Sequence, residues 1–414
     1  LNKLLIRILL HLQVEFSFKN SKVAFIYGAA GTGKSTMINY ISSLFKDKQK
    51  IFLANTNPAV ENLRRKVTAE HAEFVTITKF LSKDVSNDCD ILCLDECSTI
   101  SNRDMVRVLQ RAQCKLLVLV GDIYQIESIL FGNWFNIAYK VMPKDSVAEL
   151  TRPHRTTVQG LIEVWNKVRE ITEDRLEFIT RNGLSSTLDE SIFSRTEEDE
   201  IVLCLNYDGI YGINNINKFL QSNNVNPSIN WGVLSYKVGD PVLFNESNRF
   251  APLVYNNLKG KILQIEEEED CIYFTIEVYT VLNELDVIGF DLELKESVTD
   301  ETSVIRFKVG RGGDGNDDND NVENVVPFQV AYAISIHKAQ GLEYESVKVV
   351  ITSEIEEMVS HNIFYTAITR AKSKLKIYWS PETEKRILEN MKVQFNDKDY
   401  QLFKAKYKEA LLKS

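Results

Sequence analysis

A glycine-rich segment early in the chain has residue types and spacing that suit phosphate binding. Residues 28–35 read GAAGTGKS, which matches G-x-x-x-x-G-K-S, and they follow the apolar run VAFIY. Glycines let backbone N–H groups surround a phosphate, and the start of the following helix adds a partial positive charge. A glycine-rich turn without a ligand is the alternative, but the preceding strand and following helix disfavour it. The predicted nucleotide-binding residues are Gly28, Ala29, Ala30, Gly31, Thr32, Gly33, Lys34, Ser35 and Thr36.

Two further apolar runs end in polar residues that could complete such a site. ILCLDE ends in Asp95 and Glu96, and VLVGDIYQI carries Gln125 three residues after Asp122. In phosphoryl transfer, a lysine neutralises the phosphates, Mg²⁺ is held by a hydroxyl and a carboxylate, and another side chain orients the attacking water. We therefore expect Mg²⁺ at Ser35 and Asp95, water alignment by Glu96, and γ-phosphate sensing by Gln125. For the last run, a polar turn capped by Asp122 is the alternative.

Bulk properties indicate a globular protein with more than one domain. The chain has 414 residues, of which 44% are hydrophobic and 26% charged, and a chain of this length exceeds one ordinary core. No apolar run reaches the roughly 18 residues that cross a bilayer, so we expect no membrane partner. The missing initiator Met suggests a piece of a longer protein.

Cysteine content and net charge limit the cellular location and the partners that the protein can have. The six cysteines lie in apolar strand-like segments, which predicts reduced thiols and a cytoplasmic location. Cys89, Cys93 and Cys97 lack C-x₂-C spacing and a nearby His, so zinc is disfavoured. A net charge of −9 argues against coating nucleic acid with the whole surface, although a local basic channel remains compatible with it.

Alternating strand and helix patterns predict an α/β fold with parallel sheets. Short β-rich runs such as IFLAN and KLLVLVGD are separated by segments with helical spacing in the first half of the chain. Between about 240 and 310 the pattern changes to strands joined by turns, and it returns to α/β afterwards. We predict three parts: residues 1–150; residues 151–238 with 322–414; and a β insertion at 239–321 with an acidic loop.

The segment FYTAITRAKSKLKIYW, residues 364–379, looks like a small-residue helix that runs into a strand, with Arg370 between them. Together with the preceding motifs, it makes the chain resemble the superfamily 1 helicases over nearly its whole length. That resemblance implies two RecA-like domains that share one ATP and close on it. It also implies that Arg370 acts as an arginine finger on the γ-phosphate, with Arg155 of LTRPHR as a second such arginine and Arg152 as its competitor. A surface arginine at a helix end is the alternative for Arg370.

The same resemblance implies contacts with single-stranded nucleic acid. LANTNPAVENL and TITKFL are similar to motifs that hold phosphates of the strand, and SIHKAQGLEY is similar to the motif that couples strand and nucleotide. Phosphate contacts of this kind do not read bases. The implied strand contacts are Thr56, Asn57, Thr76, Thr78, Ser335, His337 and Lys338, and the implied nucleotide contacts are Gln340, Gly341 and Glu343. Gln13 stands where the family has an adenine-binding glutamine. Trp134, Phe135 and Trp231 could stack on bases, but core positions are favoured for all three.

Residues 206–221 and YKVGDPVLFNES resemble the RecD-like and Dda-like branch, which has a UvrD-like C-terminal motor domain and an SH3-like β insertion. The branch implies 5′ to 3′ movement on single-stranded DNA, although RNA stays open. The short stretch between TITKFL and ILCLDE leaves no room for the hairpin that splits a duplex. A nucleic-acid-stimulated ATPase subunit of a larger assembly is therefore the second hypothesis, and a nucleotide switch that binds proteins is the third.

Overall fold

The computed structural model describes residues 22–82, 87–125, 134–152, 154–245, 249–251, 253–297, 299–311, 324–392, 400 and 401. The chain divides into two compact units. The first contains the described residues of Leu1–Asn182, Glu357–Ser373 and Lys385–Ser414, and the second contains those of Gly183–Glu356 and Lys374–Glu384. Gln13, the predicted adenine contact, lies outside the described residues.

The first unit contains a six-stranded sheet in which every adjacent pair of strands is parallel. The strand order is β3-β2-β4-β5-β1-β6. Four strands are rich in buried aliphatic and aromatic residues, as expected for a parallel sheet covered on both faces. The strands are β1 (Lys22–Gly28), β2 (Lys50–Ala54), β3 (Ala72–Thr76), β4 (Asp88–Leu94), β5 (Gln113–Gly121) and β6 (Val147–Leu150).

Helices of the first unit bury apolar faces in two separate clusters with this sheet. Met37 and Leu63 lie in one cluster, and Phe80, Val108 and Phe135 lie in the other. The helices of this unit are α1 (Lys34–Leu44), α2 (Asn57–Lys66), α3 (Ile77–Leu81), α4 (Asn102–Arg111), α5 (Trp134–Val141), α6 (Gln159–Glu170) and α7 (Arg175–Arg181), with short 3₁₀ turns at Cys97–Thr99 and Lys144–Ser146. The arrangement is a parallel α/β sheet, as predicted, and the structure adds that both of its faces are covered.

The sheet brings the sequence motifs of this unit to one edge. Gly28 ends β1, Thr76 ends β3, and Asp95 and Asp122 directly follow β4 and β5. Because the carboxyl ends of parallel strands lie at the same edge, these residues share that edge although up to 94 positions separate them along the chain (122 − 28). Ligands of open α/β sheets bind outside this edge.

The second unit contains a five-stranded sheet with the order β17-β8-β18-β19-β7. The pairs β17–β8, β18–β8 and β19–β7 are parallel, as the returning α/β pattern predicted. Its elements are β7 (Ser185–Ser186), β8 (Glu200–Cys204), α8 (Ile213–Ser222), β17 (Ala333–Ser335), β18 (Tyr344–Val350) and β19 (Ala371–Tyr378), with 3₁₀ turns at Glu190–Phe193 and Ser353–Met358. Helix α9 (His361–Ile368) belongs to the first unit, and both β19 and α10 (Pro381–Asn390) contain a boundary between units.

An antiparallel module interrupts the second α/β sheet. Six of its strands form a sheet with the order β14-β15-β13-β12-β11-β16, and β9 pairs with β10. The bounds are β9 (Ser228–Trp231), β10 (Leu234–Lys237), β11 (Pro241–Phe244), β12 (Lys259–Glu267), β13 (Cys271–Val278), β14 (Glu293–Lys295), β15 (Ser303–Gly310) and β16 (Phe328–Val330). Its hydrophobic cluster includes Trp231, Phe274 and Phe328, so this core extends beyond 239–321 on both sides. The three-part division and the SH3-like character of the module stay predictions.

Among the helices that the structure describes, none combines the length and apolar character needed to span a membrane. All six cysteines are free thiols, and five of them are buried.

Candidate functional site

The glycine-rich loop connects β1 to α1 in the first unit. Gly31 and Gly33 have φ angles of 74° and 84°, which is a left-handed conformation that glycine adopts without steric cost. At Gly28 an added Cβ would lie 2.5 Å from the carbonyl oxygen of Leu150, so the close approach of β6 also requires glycine there. The three glycines of the motif are therefore explained by backbone geometry alone.

Lys34 begins α1 and turns back over this loop. Its Nζ donates to the carbonyl oxygens of Gly28 at 2.9 Å and Ala29 at 2.8 Å. Burial lowers the pKa of Lys34, while the charges of Asp122 and Asp95 act in the opposite direction. The ammonium group is thus bonded to the loop and stabilised by the charges of two carboxylates, where it can neutralise phosphate charge.

Asp95 and Asp122 are buried carboxylates, with 9% and 2% of their surface exposed. Asp95 Oδ1 accepts the N–H of Glu96 at 2.8 Å. Burial raises the pKa of both groups, and the charge of Lys34 opposes the shift. One hydroxyl, from Ser35, and one carboxylate, from Asp95, suit Mg²⁺, because this ion keeps several waters and binds substrate phosphates. In the described part of the chain, no group of three or more His, Cys, Asp or Glu residues could hold a metal ion.

Glu96 has an unusual backbone conformation for a residue that is not glycine. Its φ and ψ angles are 52° and 38°, in the sparsely occupied left-handed region. Burial raises the pKa of Glu96 to about 7, with the charge of Asp95 adding to the effect and the charges of Arg370 and Lys34 opposing it. A carboxyl group poised near neutral pH suits the predicted role of aligning water.

Arg370 follows α9 and is only 3% exposed. Its Nε donates to the carbonyl oxygen of Thr366 at 3.0 Å, and its charge lowers the pKa of Glu96 and Asp122. Arg155 donates through Nη1 to the carbonyl oxygen of Thr369 at 2.7 Å. The structure therefore brings both predicted arginines to the loop and the acidic pair, whereas Arg152 is exposed. Their assignment as γ-phosphate contacts stays a proposal.

Gln125 follows a turn in which Asp122 Oδ1 accepts the N–H of Tyr124 at 3.0 Å. The backbone N–H of Gln125 donates to the carbonyl oxygen of Asp122 at 3.4 Å. The capped turn that we considered as the alternative is thus present. A sensor role for the Gln125 side chain stays a prediction, and both functions are compatible in one turn.

The predicted strand contacts of the first unit lie at two helix starts. Thr56 Oγ1 accepts the N–H three residues further along at 3.4 Å, and Thr76 Oγ1 does the same at 3.2 Å. Both threonines therefore cap helices, α2 and α3. Asn57 and Thr78 are exposed next to them, where backbone N–H groups and a helix start favour phosphate.

The remaining predicted residues lie in the second unit, on the segment from β17 to β18. Ser335 Oγ accepts the N–H of Lys338 at 3.2 Å, and Lys338 Nζ donates to Gln329 Oε1 at 2.8 Å. Burial lowers the pKa of Lys338, whereas His337 is exposed. The carbonyl oxygen of Glu343 accepts a hydrogen bond from the Nζ of Lys259, a residue of β12, at 3.2 Å.

Gln340 and Gly341 form the turn of this segment. Gln340 donates its N–H to the carbonyl oxygen of His337 at 3.3 Å, and Gly341 has a φ of 78°. Both are partly buried. Their predicted contact with the nucleotide, like that of Glu343, stays a proposal.

The three candidate stacking residues are core residues or lie against the core. Phe135 and Trp231 are 1% and 8% exposed. Trp134 is partly buried, and its Nε1 donates to the carbonyl oxygen of Ile100 at 2.9 Å. The favoured alternative, that these rings are structural, is confirmed.

Sequence reasoning missed two residues that the structure places at the loop. Asp122 was considered only as a turn cap, but its Oδ2 is buried without a hydrogen-bond partner among the described residues. Tyr365 is fully buried, and its hydroxyl accepts the N–H of Ala30 at 3.4 Å. The signal for Asp122 was its position after a strand. Nothing in the sequence pattern distinguished Tyr365.

A parallel sheet whose carboxyl edge holds a glycine-rich loop, an acidic pair, the buried Arg370 and the partly buried Arg155 defines a P-loop nucleoside triphosphatase. Two family models match the chain: an AAA domain at residues 14–189 and a UvrD-like helicase C-terminal domain at residues 330–378.

Relatives share low identity over most of the chain. RecBCD enzyme subunit RecD of Mycolicibacterium smegmatis is 22% identical over 336 residues, which cover 74% of this chain and 52% of the relative. ATP-dependent DNA helicase Pif1 of Campylobacter jejuni is 23% identical over 438 residues, with 86% and 88% covered. An uncharacterized protein of Methanocaldococcus jannaschii is 23% identical, and the matched region spans 36% of its length. The chain thus spans about a third to a half of two of these relatives.

Solved structures show the same fold. Bacteroides Pif1 bound to ssDNA has a TM-score of 0.55 and 16% identity, with 99% of this chain and 97% of that chain covered. Pif1 helicase from Candida albicans has a TM-score of 0.55 and 19% identity, with 98% and 99% covered. These likenesses show the fold alone, and the family models together with the sequence relatives support a superfamily 1 helicase of the RecD/Pif1 branch.

Proposed function

We propose that the protein is an ATP-dependent translocase and helicase that moves 5′ to 3′ on single-stranded DNA by closure of two RecA-like domains around ATP. The observation that carries this proposal is the grouping of Lys34, Glu96, Arg155 and Arg370, whose charges act on one another at one edge of the first sheet. An acid that orients water and arginines that stabilise charge are the parts that phosphoryl transfer needs. The free thiols support a cytoplasmic location.

In this proposal, each residue has a separate task in hydrolysis. The loop amides and Lys34 bind the β and γ phosphates of ATP, and Glu96 orients the water that attacks the γ-phosphorus. Arg155 and Arg370 stabilise the charge that develops on the transferred group. Mg²⁺, held by Ser35 and Asp95 when bound, neutralises charge on the β and γ oxygens.

The strand-binding residues complete the proposal. Helix starts at Thr56 and Thr76 present backbone N–H groups to phosphates, and Ser335, His337 and Lys338 add contacts from the second unit. Such contacts hold a strand without reading its sequence. The segment between β17 and β18 also carries the proposed nucleotide contacts Gln340, Gly341 and Glu343. One element would therefore contact both the nucleotide and the nucleic-acid strand. Two similar structures, both of Bacteroides Pif1, contain bound ssDNA, which supports a single strand as the partner.

The decisive experiment measures ATP hydrolysis with single-stranded DNA, single-stranded RNA and no polymer, for the wild type and for Lys34→Ala. We expect hydrolysis that DNA stimulates, and no hydrolysis in Lys34→Ala. Wild-type turnover in that variant would exclude the role of the loop. Turnover that is indifferent to both polymers would instead favour a nucleotide switch that binds proteins.

A second candidate is a nucleic-acid-stimulated ATPase subunit that does not unwind DNA by itself. One observation favours it: α3 ends at Leu81 and β4 begins at Asp88, so six residues (82–87) connect them and leave no room for a strand-splitting hairpin. The relationship to a subunit named RecD of the RecBCD enzyme also suits a larger assembly. Strand displacement on duplexes with a 5′ or a 3′ tail separates the candidates. Hydrolysis without displacement from either tail favours the subunit.

A further inference from the structure

Tyr365 contacts the glycine-rich loop, which is expected to hold phosphate. The N–H of Ala30 donates to the Tyr365 hydroxyl oxygen at 3.4 Å. Ala30 is 1% exposed and Tyr365 is 0% exposed, so water does not compete for this bond. Ala30 lies in the middle of GAAGTGKS, where loop N–H groups donate to phosphate oxygens in proteins of this class.

Other polar groups of the loop are also bonded to the protein itself. Lys34 Nζ donates to two loop carbonyl oxygens, and the N–H of His154 donates to the carbonyl oxygen of Gly31 at 2.5 Å. A Cβ added at Gly31 would clash with the Cβ of Arg155, so Arg155 packs closely on the loop. The loop is therefore held in this arrangement by contacts on both sides, and the contact from Tyr365 occupies one of its N–H groups.

A phosphate oxygen and the Tyr365 hydroxyl would compete for the same donor, because one N–H group makes one strong, well-aligned hydrogen bond. We propose that Tyr365 is a positioning residue whose hydroxyl holds the Ala30 N–H in place of a phosphate oxygen and gives it up when a nucleotide binds. The proposal rests on the proposed function, since it assigns phosphate to this loop.

The position of Tyr365 on α9 links this exchange to Arg370. The carbonyl oxygen of Tyr365 accepts both the N–H of Thr369 at 3.1 Å and its hydroxyl at 2.9 Å. The carbonyl oxygen of Thr369 in turn accepts from Arg155, and Thr366 binds Arg370 Nε. Tyr365 and Arg370 therefore lie at the same hydrogen-bonded end of α9, so the hydroxyl at the loop and the proposed arginine finger belong to one element.

The test is nucleotide binding by Tyr365→Phe, which removes the hydroxyl and keeps the ring. A net intramolecular hydrogen bond contributes roughly 0.5–1.5 kcal/mol, so we expect the Kd for ADP and for inorganic pyrophosphate to fall by about three- to tenfold. Isothermal titration without nucleic acid measures both. Adenosine has no phosphate, and its Kd should not change. An unchanged or weaker affinity for ADP would overturn the proposal, because a purely structural hydroxyl or one that contacts phosphate directly gives those results.

Two further variants separate the possible failures. Tyr236→Phe removes a buried hydroxyl of the second unit that has no hydrogen-bond partner in the described chain, and its ADP affinity should match the wild type. If the wild type does not bind ADP, or if Lys34→Ala binds it equally well, the proposed function itself fails. Amide hydrogen exchange gives an independent readout. Without nucleotide, the Ala30 N–H should exchange faster in Tyr365→Phe, and equal protection would contradict the contact.

Discussion

Glu96 combines backbone strain with a shifted pKa at a single position. A left-handed conformation costs a residue with a Cβ about 1–2 kcal/mol, and such strain persists mainly where the surrounding structure enforces it, often at functional sites. Here the N–H of Glu96 is bonded to Asp95, and its carbonyl oxygen accepts the N–H of Thr99 at 2.9 Å. These bonds hold the carboxyl group beside the loop and the charge of Arg370.

Arg370→Ala should separate binding from turnover. The finger role predicts that ATP hydrolysis falls by about 10³-fold or more, because charge on the transferred phosphoryl group loses its stabilisation. The Kd for ADP should change less than about threefold. Steady-state hydrolysis and titration with ADP measure the two quantities. Arg107→Ala is the control, since Arg107 is an exposed residue of α4 whose ion pair with Asp104 spans 3.6 Å. Loss of ADP binding in Arg370→Ala would show a structural arginine instead.

Most residues of the candidate nucleotide site could be named from the sequence, because glycine-rich and acidic motifs are local in the chain. Residues 28–36 and the pair Asp95 and Glu96 could be identified from strand and helix patterns on either side. Tyr365 could not, because its contact with Ala30 joins residues 335 positions apart. Residue type does not reveal which buried hydroxyl reaches a given N–H group.

Helix α9 shows what a sequence pattern leaves open about an element. The predicted helix followed by a strand is confirmed, with Arg370 between α9 and β19. The partner of the helix was not predictable. Trp165 Nε1 donates to the carbonyl oxygen of Ile368 at 3.0 Å, and His361 Nε2 lies 2.8 Å from the carbonyl oxygen of Val168. These bonds pack α9 on α6, so the helix groups with the first unit rather than with the second.

His361, the first residue of α9, makes the attachment of this helix dependent on pH. Burial lowers the pKa of His361, and the charge of Arg175 lowers it further. The hydrogen bond to Val168 and the charge of Asp122 act in the opposite direction. Because the folded pKa is below the unfolded value of roughly 6.5, the unfolded state binds more protons as the pH falls. The contribution of neutral His361 to stability is therefore complete above about pH 6.5 and is lost as the pH falls towards the lowered value.

His361→Gln keeps a donor for Val168 but does not titrate. We expect the free energy of unfolding to fall more steeply for the wild type than for the variant between pH 7.5 and 5.5. Linkage sets the upper limit of this extra loss at roughly 1.4 kcal/mol for each unit by which folding lowers the pKa. Urea unfolding at several pH values measures the difference. The exposed His337→Gln is the control and should follow the wild type. Parallel curves for wild type and His361→Gln would exclude this histidine as the source.

At the scale of the whole molecule, the interrupted α/β architecture was predictable and the edges of the antiparallel module were not. The pattern of strands and turns between residues 240 and 310 can be recognised locally in the sequence. The pairing of β11 with β16, however, joins Phe244 to Phe328, across the acidic segment that was expected to close the module. Trp231 and Tyr236 likewise enter its core from before residue 239. Long-range pairing of this kind has no signature in either segment alone.

Asp240 ties this module to the α/β part of the second unit. The carboxylate is fully buried, and each of its oxygens accepts two hydrogen bonds. Asn224 Nδ2 and the Tyr332 hydroxyl donate to Oδ1 at 2.9 and 2.8 Å, and Gln221 Nε2 and the N–H of Lys237 donate to Oδ2 at 2.6 and 2.9 Å. The donors come from α8, the chain after it, β10 and the approach to β17. One side chain therefore satisfies four donors from separate segments.

Asp240→Asn should destabilise the second unit without altering nucleotide binding in the first. The variant keeps one acceptor oxygen, but its NH₂ group faces two donors that are buried and lose their partner. Each such mismatch costs about 1–3 kcal/mol, so we expect the free energy of unfolding to fall by about 2–5 kcal/mol in urea titrations. Asp208→Asn, which changes an exposed carboxylate bonded to Asn214 at 3.2 Å, should change it by less than about 0.5 kcal/mol. Since the donors around Asp240 all lie in the second unit, the Kd for ADP under native conditions should equal that of the wild type. A large loss of ADP affinity with unchanged unfolding would mean that Asp240 acts on the nucleotide site and does not anchor the module.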